Sequence, residues 1–210
     1  MSSTRYGVYL RPDPVTCWVQ AQINLALRQQ YGLVSAAAFP PHATLVGNLR
    51  TDATVEDLAT RLAAAVASQK TFTVHNKGFE RVGDAYLYNV HEDGRGHPNQ
   101  LFVDLAAAVK TAVLPVSIPV RDHLVTPLVE GTFWGHLSLA SHDLLVDNTL
   151  ADEVGEFLSG LPLQPPRTFQ AQVVSLYETM SDDWDGHWWK SLRCTHLRSW
   201  NLPSTPRQKW

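Results

Sequence analysis

Only two of the 210 residues are cysteine, Cys17 and Cys194, and they stand 177 positions apart. That spacing fits neither a disulfide framework nor a CxxC or knuckle zinc site, so both are read as reduced thiols. Nowhere do about 18 apolar residues run together, and Met1 to Pro14 contains no apolar stretch of signal-peptide length. A membrane span and a secretory leader are therefore not expected, and the cytoplasm is the expected location. Basic charge is also scarce, with 17 Lys and Arg against 20 Asp and Glu and a formal net charge of -3. Gripping long duplex nucleic acid by phosphate neutralisation needs dense Lys and Arg, so such a partner is not expected, while a small phosphorylated ligand stays open. Gly94-Arg95-Gly96 is followed by no Gly-Lys-Ser/Thr, which removes a phosphate-binding loop. Ser181 to Gly186 partly mimics a calcium loop, but it opens on Ser, and Leu192 stands where the closing Glu belongs. No metal and no cofactor are expected.

What is present is an ordinary globular composition: 44% hydrophobic, 18% charged, 12 Gly and 13 Pro. Disorder, collagen-like repeats and coiled coils are excluded. Asp13 as N-cap, Pro14 at the opening position and Gly32 as stop predict a first helix, with Val19, Ile23, Ala26 and Leu27 inward. Thr54 and Asp57 open a second, with Val55, Leu58, Leu62 and Val66 on one stripe. A third begins after Pro98, buries Leu101, Leu105, Ala108 and Ala112, and stops by Pro115. A fourth uses Leu150, Val154, Phe157 and Leu158 before Gly160. Gly83-Asp84 joins strands 79–82 and 85–90 into a hairpin. A longer pair, 169–178 and 188–197, is joined by the polar loop Ser181 to Gly186.

The order helix, short strand with a histidine, helix, hairpin occurs twice. The first copy carries Phe39-Pro40-Pro41-His42-Ala43-Thr44-Leu45 where the second carries Phe133-Trp134-Gly135-His136-Leu137-Ser138-Leu139, at an offset of 94. Side chains two apart on a strand share a face, so each histidine stands beside a hydroxyl. Nine histidines and 29 Ser or Thr would give about one His-x-Ser/Thr match by chance. The two found, His42/Thr44 and His136/Ser138, are singled out by falling at equivalent points of the repeat. Residues 116–131 have no counterpart in the first half and read as an insertion, and 203–210 as a loose tail.

His42-Ala43-Thr44 and His136-Leu137-Ser138 resemble the paired signatures of the 2H phosphoesterase superfamily, which includes 2',3'-cyclic nucleotide phosphodiesterases and 2'-5' RNA ligase-like proteins. Tyr6-Gly7-Val8-Tyr9-Leu10 resembles that family's first strand, and Val174-Ser175-Leu176-Tyr177 its late strand. Three positions depart from the pattern: Gly135 stands where Pro often precedes the second motif, Ser141 where some members have an aromatic, and residues 116–131 look extra. The resemblance implies a single α/β (α+β) domain over 1–210, two-lobed with a pseudo-twofold, with antiparallel sheets flanked by helices and a cleft between the lobes. It also assigns His42 as acid and His136 as water-activating base.

In-line displacement at phosphorus puts attacking and leaving oxygens on opposite sides, so a base is wanted on one flank and an acid on the other. Histidine titrates near neutrality and serves either role. Thr44 and Ser138 would donate to the non-bridging oxygens. The expected reaction is metal-independent opening of a nucleoside or RNA-end 2',3'-cyclic phosphate, with 2'-5' linked or cyclic oligonucleotides as alternatives. Rivals from other classes are a nucleotide-binding module without turnover and a metal-dependent hydrolase using scattered His and Asp. Strand parity puts Trp134 on the cleft face, where an indole can stack on a base, with Tyr9 and Tyr177 as weaker substrate-binding candidates. Arg11 is read as solvated at the end of the first strand, and the chain is expected to be a monomer.

Overall fold

A computed structural model describes residues 4–119 and 133–204. The chain opens with β1 (Thr4–Arg11), α1 (Pro14–Tyr31), a 3-10 turn at Ala36–Ala38, β2 (Ala43–Leu49), α2 (Val55–Ala67), β3 (Phe72–His75) and β4 (Phe79–Val82). It continues with β5 (Ala85–Asn89), α3 (Gln100–Val113), β6 (His136–Ala140), α4 (His142–Val146), α5 (Ala151–Gly160), β7 (Thr168–Ala171), β8 (Val173–Met180) and β9 (Arg193–Asn201). The fold is mixed α/β with antiparallel sheets and five helices, as expected in class.

Local signals set the first helices. The Asp13 carboxylate accepts the Thr16 N–H at 2.7 Å, Pro14 opens α1, and Gly32 closes it at φ 71°. Thr54 caps α2 by accepting the Asp57 N–H at 3.1 Å. The expected face of α3 is a correction: Phe102, Leu105, Ala106, Val109 and Val113 are buried, whereas Leu101 is exposed. Two apolar stripes compete on this helix, and the one carrying Phe and two Val removes more apolar area from water.

The sheets run β2-β1-β8-β9, β4-β5-β6 and β3-β7. β1 to β4 and β5 to β8 follow the same plan: a strand, a helix, an antiparallel histidine strand, a helical stretch (α2 in the first half, α4 and α5 in the second) and two more strands. Each large sheet is completed from the other half, since β8 pairs with β1 while β4 pairs with β5. The hairpin β4–β5 therefore joins the halves instead of ending the first. The expected strand 169–178 is divided: β7 pairs with β3, and β8 with β1. Its expected partner 188–197 is shifted, because Trp188–Lys190 is a 3-10 turn and β9 begins at Arg193. The apolar core runs through both large sheets and all five helices, with Leu10, Leu58, Phe102, Leu137, Leu144, Leu158 and Leu176 inside.

Most of the expected insertion lies outside the described residues; at its start, Ile118 bridges Arg50. The tail from 205 on also lies outside them, while the Pro203 carbonyl accepts the Thr71 N–H at 3.0 Å.

Candidate active site

β2 and β6 are edge strands among the described residues, and they lie against each other. The two histidines stand at equivalent places, His42 immediately before β2 and His136 opening β6. Burial over His42 to Val46 matches that over His136 to Ala140: half-buried histidine, buried residue, half-buried hydroxyl, then two buried residues. A pair of bulges explains the two consecutive buried positions. Thr44 opposes Tyr9 and Val46 opposes Val8, leaving Leu45 unopposed; Ser138 opposes Leu87 and Ala140 opposes Tyr86, leaving Leu139 unopposed. Parity already puts Leu45 and Leu139 on the core face with Ala43 and Leu137; the bulge after each hydroxyl lets Val46 and Ala140 turn inward as well.

Each imidazole is held in the same way. His42 Nδ1 lies 2.8 Å from the Pro40 carbonyl, and His136 Nδ1 lies 3.0 Å from the Trp134 carbonyl. A carbonyl only accepts, so Nδ1 carries the proton in both rings and Nε2 is left for chemistry. His42, Thr44, His136 and Ser138 line one cavity of about 580 Å³. Burial pushes the His42 imidazole down to about 4; the Pro40 carbonyl opposes that, and the charge of a protonated His136 adds to it. Burial also lowers His136, against the pull of the Trp134 carbonyl. Both rings are therefore neutral at pH 7 in the protein alone, and two protons on the pair are disfavoured.

Packing fixes the rings. Tyr9 lies 4.1 Å from His42 between ring centres, and Phe39 5.4 Å. Tyr9 folds back along its own strand over Gly7, where a Cβ would fall 2.0 Å from the phenol oxygen. On the other side Trp134 lies 5.5 Å from His136. Gly135 leaves no room for a side chain, since a Cβ would meet Phe102 at 2.8 Å. Its N–H points to His91 Nδ1 at 3.3 Å, and burial lowers His91, which keeps that ring a neutral acceptor. Asp143 joins the loop before His42 to the end of β6: its Oδ2 accepts from the Val34 and Ser35 N–H groups at 3.0 and 2.6 Å. Ser141 takes part in that junction, its Oγ 3.2 Å from Ser35 Oγ.

The family model for the 2'-5' RNA ligase superfamily matches residues 8–183. The chain belongs to that superfamily. No curated relative matches it by sequence. Among solved structures it is similar to E. coli LigT complexed with ATP, at 15% identity and a TM-score of 0.52, covering 95% of this chain and 98% of that one. It is similar also to E. coli LigT complexed with 3'-AMP, at 15% identity and a TM-score of 0.51, over 96% and 99% of the two chains. TT0787 of Thermus thermophilus matches at 12% identity and a TM-score of 0.53, over 95% and 98%. At these identities the likeness is one of fold.

For this member of the 2'-5' RNA ligase superfamily, the sequence-expected substrate residues separate into three cases. Trp134, two residues before β6 begins, lines the cavity. Tyr9 lines it too, but at 4% exposure it serves as the support under His42. Tyr177 is not among the described residues lining the cavity; it sits behind Tyr9, 5.7 Å away, and edge-on to His196. Arg11 is exposed at the end of β1, also outside the lining.

Sequence reasoning missed Phe39, His142, Lys110, Trp184 and Trp188, all on the cavity wall. The available signal was the density of tryptophan in 184–189, hidden by its reading as a loop and strand. The loop 181–191 is knit by its own side chains. Ser181 Oγ donates to the Trp188 carbonyl at 3.0 Å, and the Asp183 carboxylate accepts the His187 N–H at 2.8 Å. With Asp182 paired to Arg193, the loop's first two carboxylates are engaged within the protein. Among the described residues no group of three or more His, Cys, Asp and Glu is placed to hold a metal ion, and no helix is long and apolar enough to cross a membrane.

Proposed function

We propose that this chain is a metal-independent cyclic phosphodiesterase that opens nucleoside or RNA-terminal 2',3'-cyclic phosphates to phosphomonoesters. One observation carries the reading: two His-x-hydroxyl pairs, each with Nδ1 tied to the carbonyl two residues earlier, line the same cavity. A phosphate between them meets a base on one flank and an acid on the other, with Thr44 and Ser138 as donors to its non-bridging oxygens. His42 serves as acid and His136 as base in the opening direction. Both rings are neutral in the protein alone, so the acid gains its proton together with the anionic substrate, whose negative charge raises the imidazole. Water gives its proton to His136 and attacks phosphorus, and His42 protonates the leaving ribose oxygen. Attacking and leaving groups each exchange one proton, and the pair ends with its protons exchanged. Trp134 is the platform for the base.

The second reading is hydrolysis or joining of 2'-5' linked or cyclic oligonucleotides, favoured by the superfamily to which the chain belongs. EDTA-treated protein assayed against 2',3'-cyclic mononucleotides, 2'-5' linked dimers and cyclic oligonucleotides tests both. Retained turnover of the cyclic mononucleotides is the expected result. Loss on chelation would point to metal chemistry, and binding without turnover on the whole panel would leave a nucleotide-binding module.

A further inference from the structure

Three polar side chains of α1, Thr16, Gln20 and Asn24, stand one turn apart on its buried face, at 0%, 3% and 5% exposure. Their spacing puts them beside the apolar stripe of Val19, Ile23 and Leu27. Thr16 Oγ1, Gln20 Oε1 and Asn24 Oδ1 are buried without a hydrogen-bond partner. Burying such a group unpaired is costly, and an apolar side chain would pack in its place without that penalty. Gln20 does make one bond with its other amide atom. Nε2 donates to the carbonyl of Ser138 at 2.9 Å, across 118 positions of sequence.

The location of that carbonyl gives the bond its meaning. β6 has β5 on one side only among the described residues, so the backbone groups of its outer edge have no strand to hold them. The bulge at Leu139 begins one residue after Ser138 and interrupts the ladder there. A bulge on an edge strand is where register and side-chain aim are least constrained. Gln20 fixes the peptide plane at that point from the other half of the chain.

We propose that Gln20 is a positioning residue that aims the Ser138 hydroxyl at the bound phosphate by holding the Ser138 carbonyl. Gln20 does not line the cavity; it acts through Ser138 alone. The inference rests on the reading of Ser138 as a phosphate ligand.

Gln20→Met keeps the length of the side chain and removes both the donor and the buried unsatisfied oxygen. The carbonyl left unpaired and the oxygen removed offset each other, so the melting temperature should stay within about 3 °C of the parent, equivalent to roughly 1 kcal/mol for a chain of this size. kcat should nevertheless fall about tenfold while KM changes less than about twofold, because the hydroxyl matters most as charge develops. Gln20→Asn keeps the amide but ends about one C–C bond short of the carbonyl, and should give the same kinetic split if the Met variant folds poorly.

The deciding measurement is the double-mutant cycle with Ser138→Ala. If Gln20 works through the hydroxyl, Gln20→Met in the Ser138→Ala background should lower kcat less than about twofold further. Effects that multiply independently, or a Gln20→Met enzyme with parental kcat, would overturn the proposal. The same cycle in affinity for inorganic phosphate, read by the His136 ring resonances, separates the two readings. Coupling in phosphate affinity without turnover of any phosphodiester would keep Gln20 and remove the phosphodiesterase. Turnover with uncoupled effects would do the reverse, and a parent that neither turns over nor binds phosphate would remove both.

Discussion

Gly7→Ala should damage the site without touching a catalytic atom. A methyl group built on Gly7 falls 2.0 Å from Tyr9 Oη, 2.1 Å from Cζ and 2.7 Å from Cε2. An ordinary contact needs about 3.5–4.0 Å, so the ring has to move by roughly 1.5 Å. It has little freedom to do so: Tyr9 is 4% exposed and boxed by Phe39 at 5.9 Å, Tyr177 at 5.7 Å and His42 at 4.1 Å. Overpacking of this kind costs about 1–3 kcal/mol, or a melting temperature lower by about 2–12 °C. Gly→Ala at an unobstructed position instead stabilises by about 0.4–1 kcal/mol through the unfolded chain, so the sign is diagnostic. Movement of the ring presses on His42, and a misplacement of about 1 Å at a reacting group costs on the order of a hundredfold in rate. Differential scanning calorimetry and steady-state turnover of a 2',3'-cyclic nucleotide measure the two effects. In a Tyr9→Ala background the same substitution should cost almost nothing in stability, because the obstacle is gone. A Gly7→Ala protein as stable and active as the parent, or an equal penalty with and without the Tyr9 ring, would refute the reasoning.

Replacing either histidine by alanine should cut turnover at least about a hundredfold with the fold intact by circular dichroism, and the double variant should cost far less than the product of the two. A variant with near-parental turnover would remove that histidine from the chemistry. The His42 imidazole lies near 4 in the folded protein against an ordinary 6.5, so it should stay neutral in an NMR titration down to well below pH 6. The unfolded chain then binds the extra proton first. The contribution of His42 to stability is complete above about pH 6.5 and is lost as the pH falls towards 4, and His42→Ala should flatten that part of the stability profile. Saturation with inorganic phosphate should move the His42 titration upwards, and an unmoved titration would count against a phosphate seated beside that ring.

The extent to which this protein was legible in its sequence follows the range of the interactions involved. The histidine pairs were legible because strand parity is local: whatever a strand packs against, positions 42 and 44 share a face, and so do 136 and 138. Helix α1 was legible for the same reason, since Asp13, Pro14 and Gly32 act on neighbouring backbone groups. The phase of α3 was not, because Leu101 and Phe102 both begin plausible stripes and only the partner surface selects one. The division of 168–180 at Gln172 was not legible either, because both pieces are good strands and the break reflects two different partners, β3 and β1.

The sequence by itself determined the chemistry available: two imidazoles, each two positions from a hydroxyl. Tertiary structure alone decided that the two histidine strands lie against each other, that Tyr9 supports His42 while Tyr177 stands behind it, and that Gln20 reaches Ser138. Those outcomes depend on which of many remote surfaces win the competition for burial. Spacing along the chain carries information over a few residues, whereas contacts across 94 or 118 positions are set by the packing of the whole.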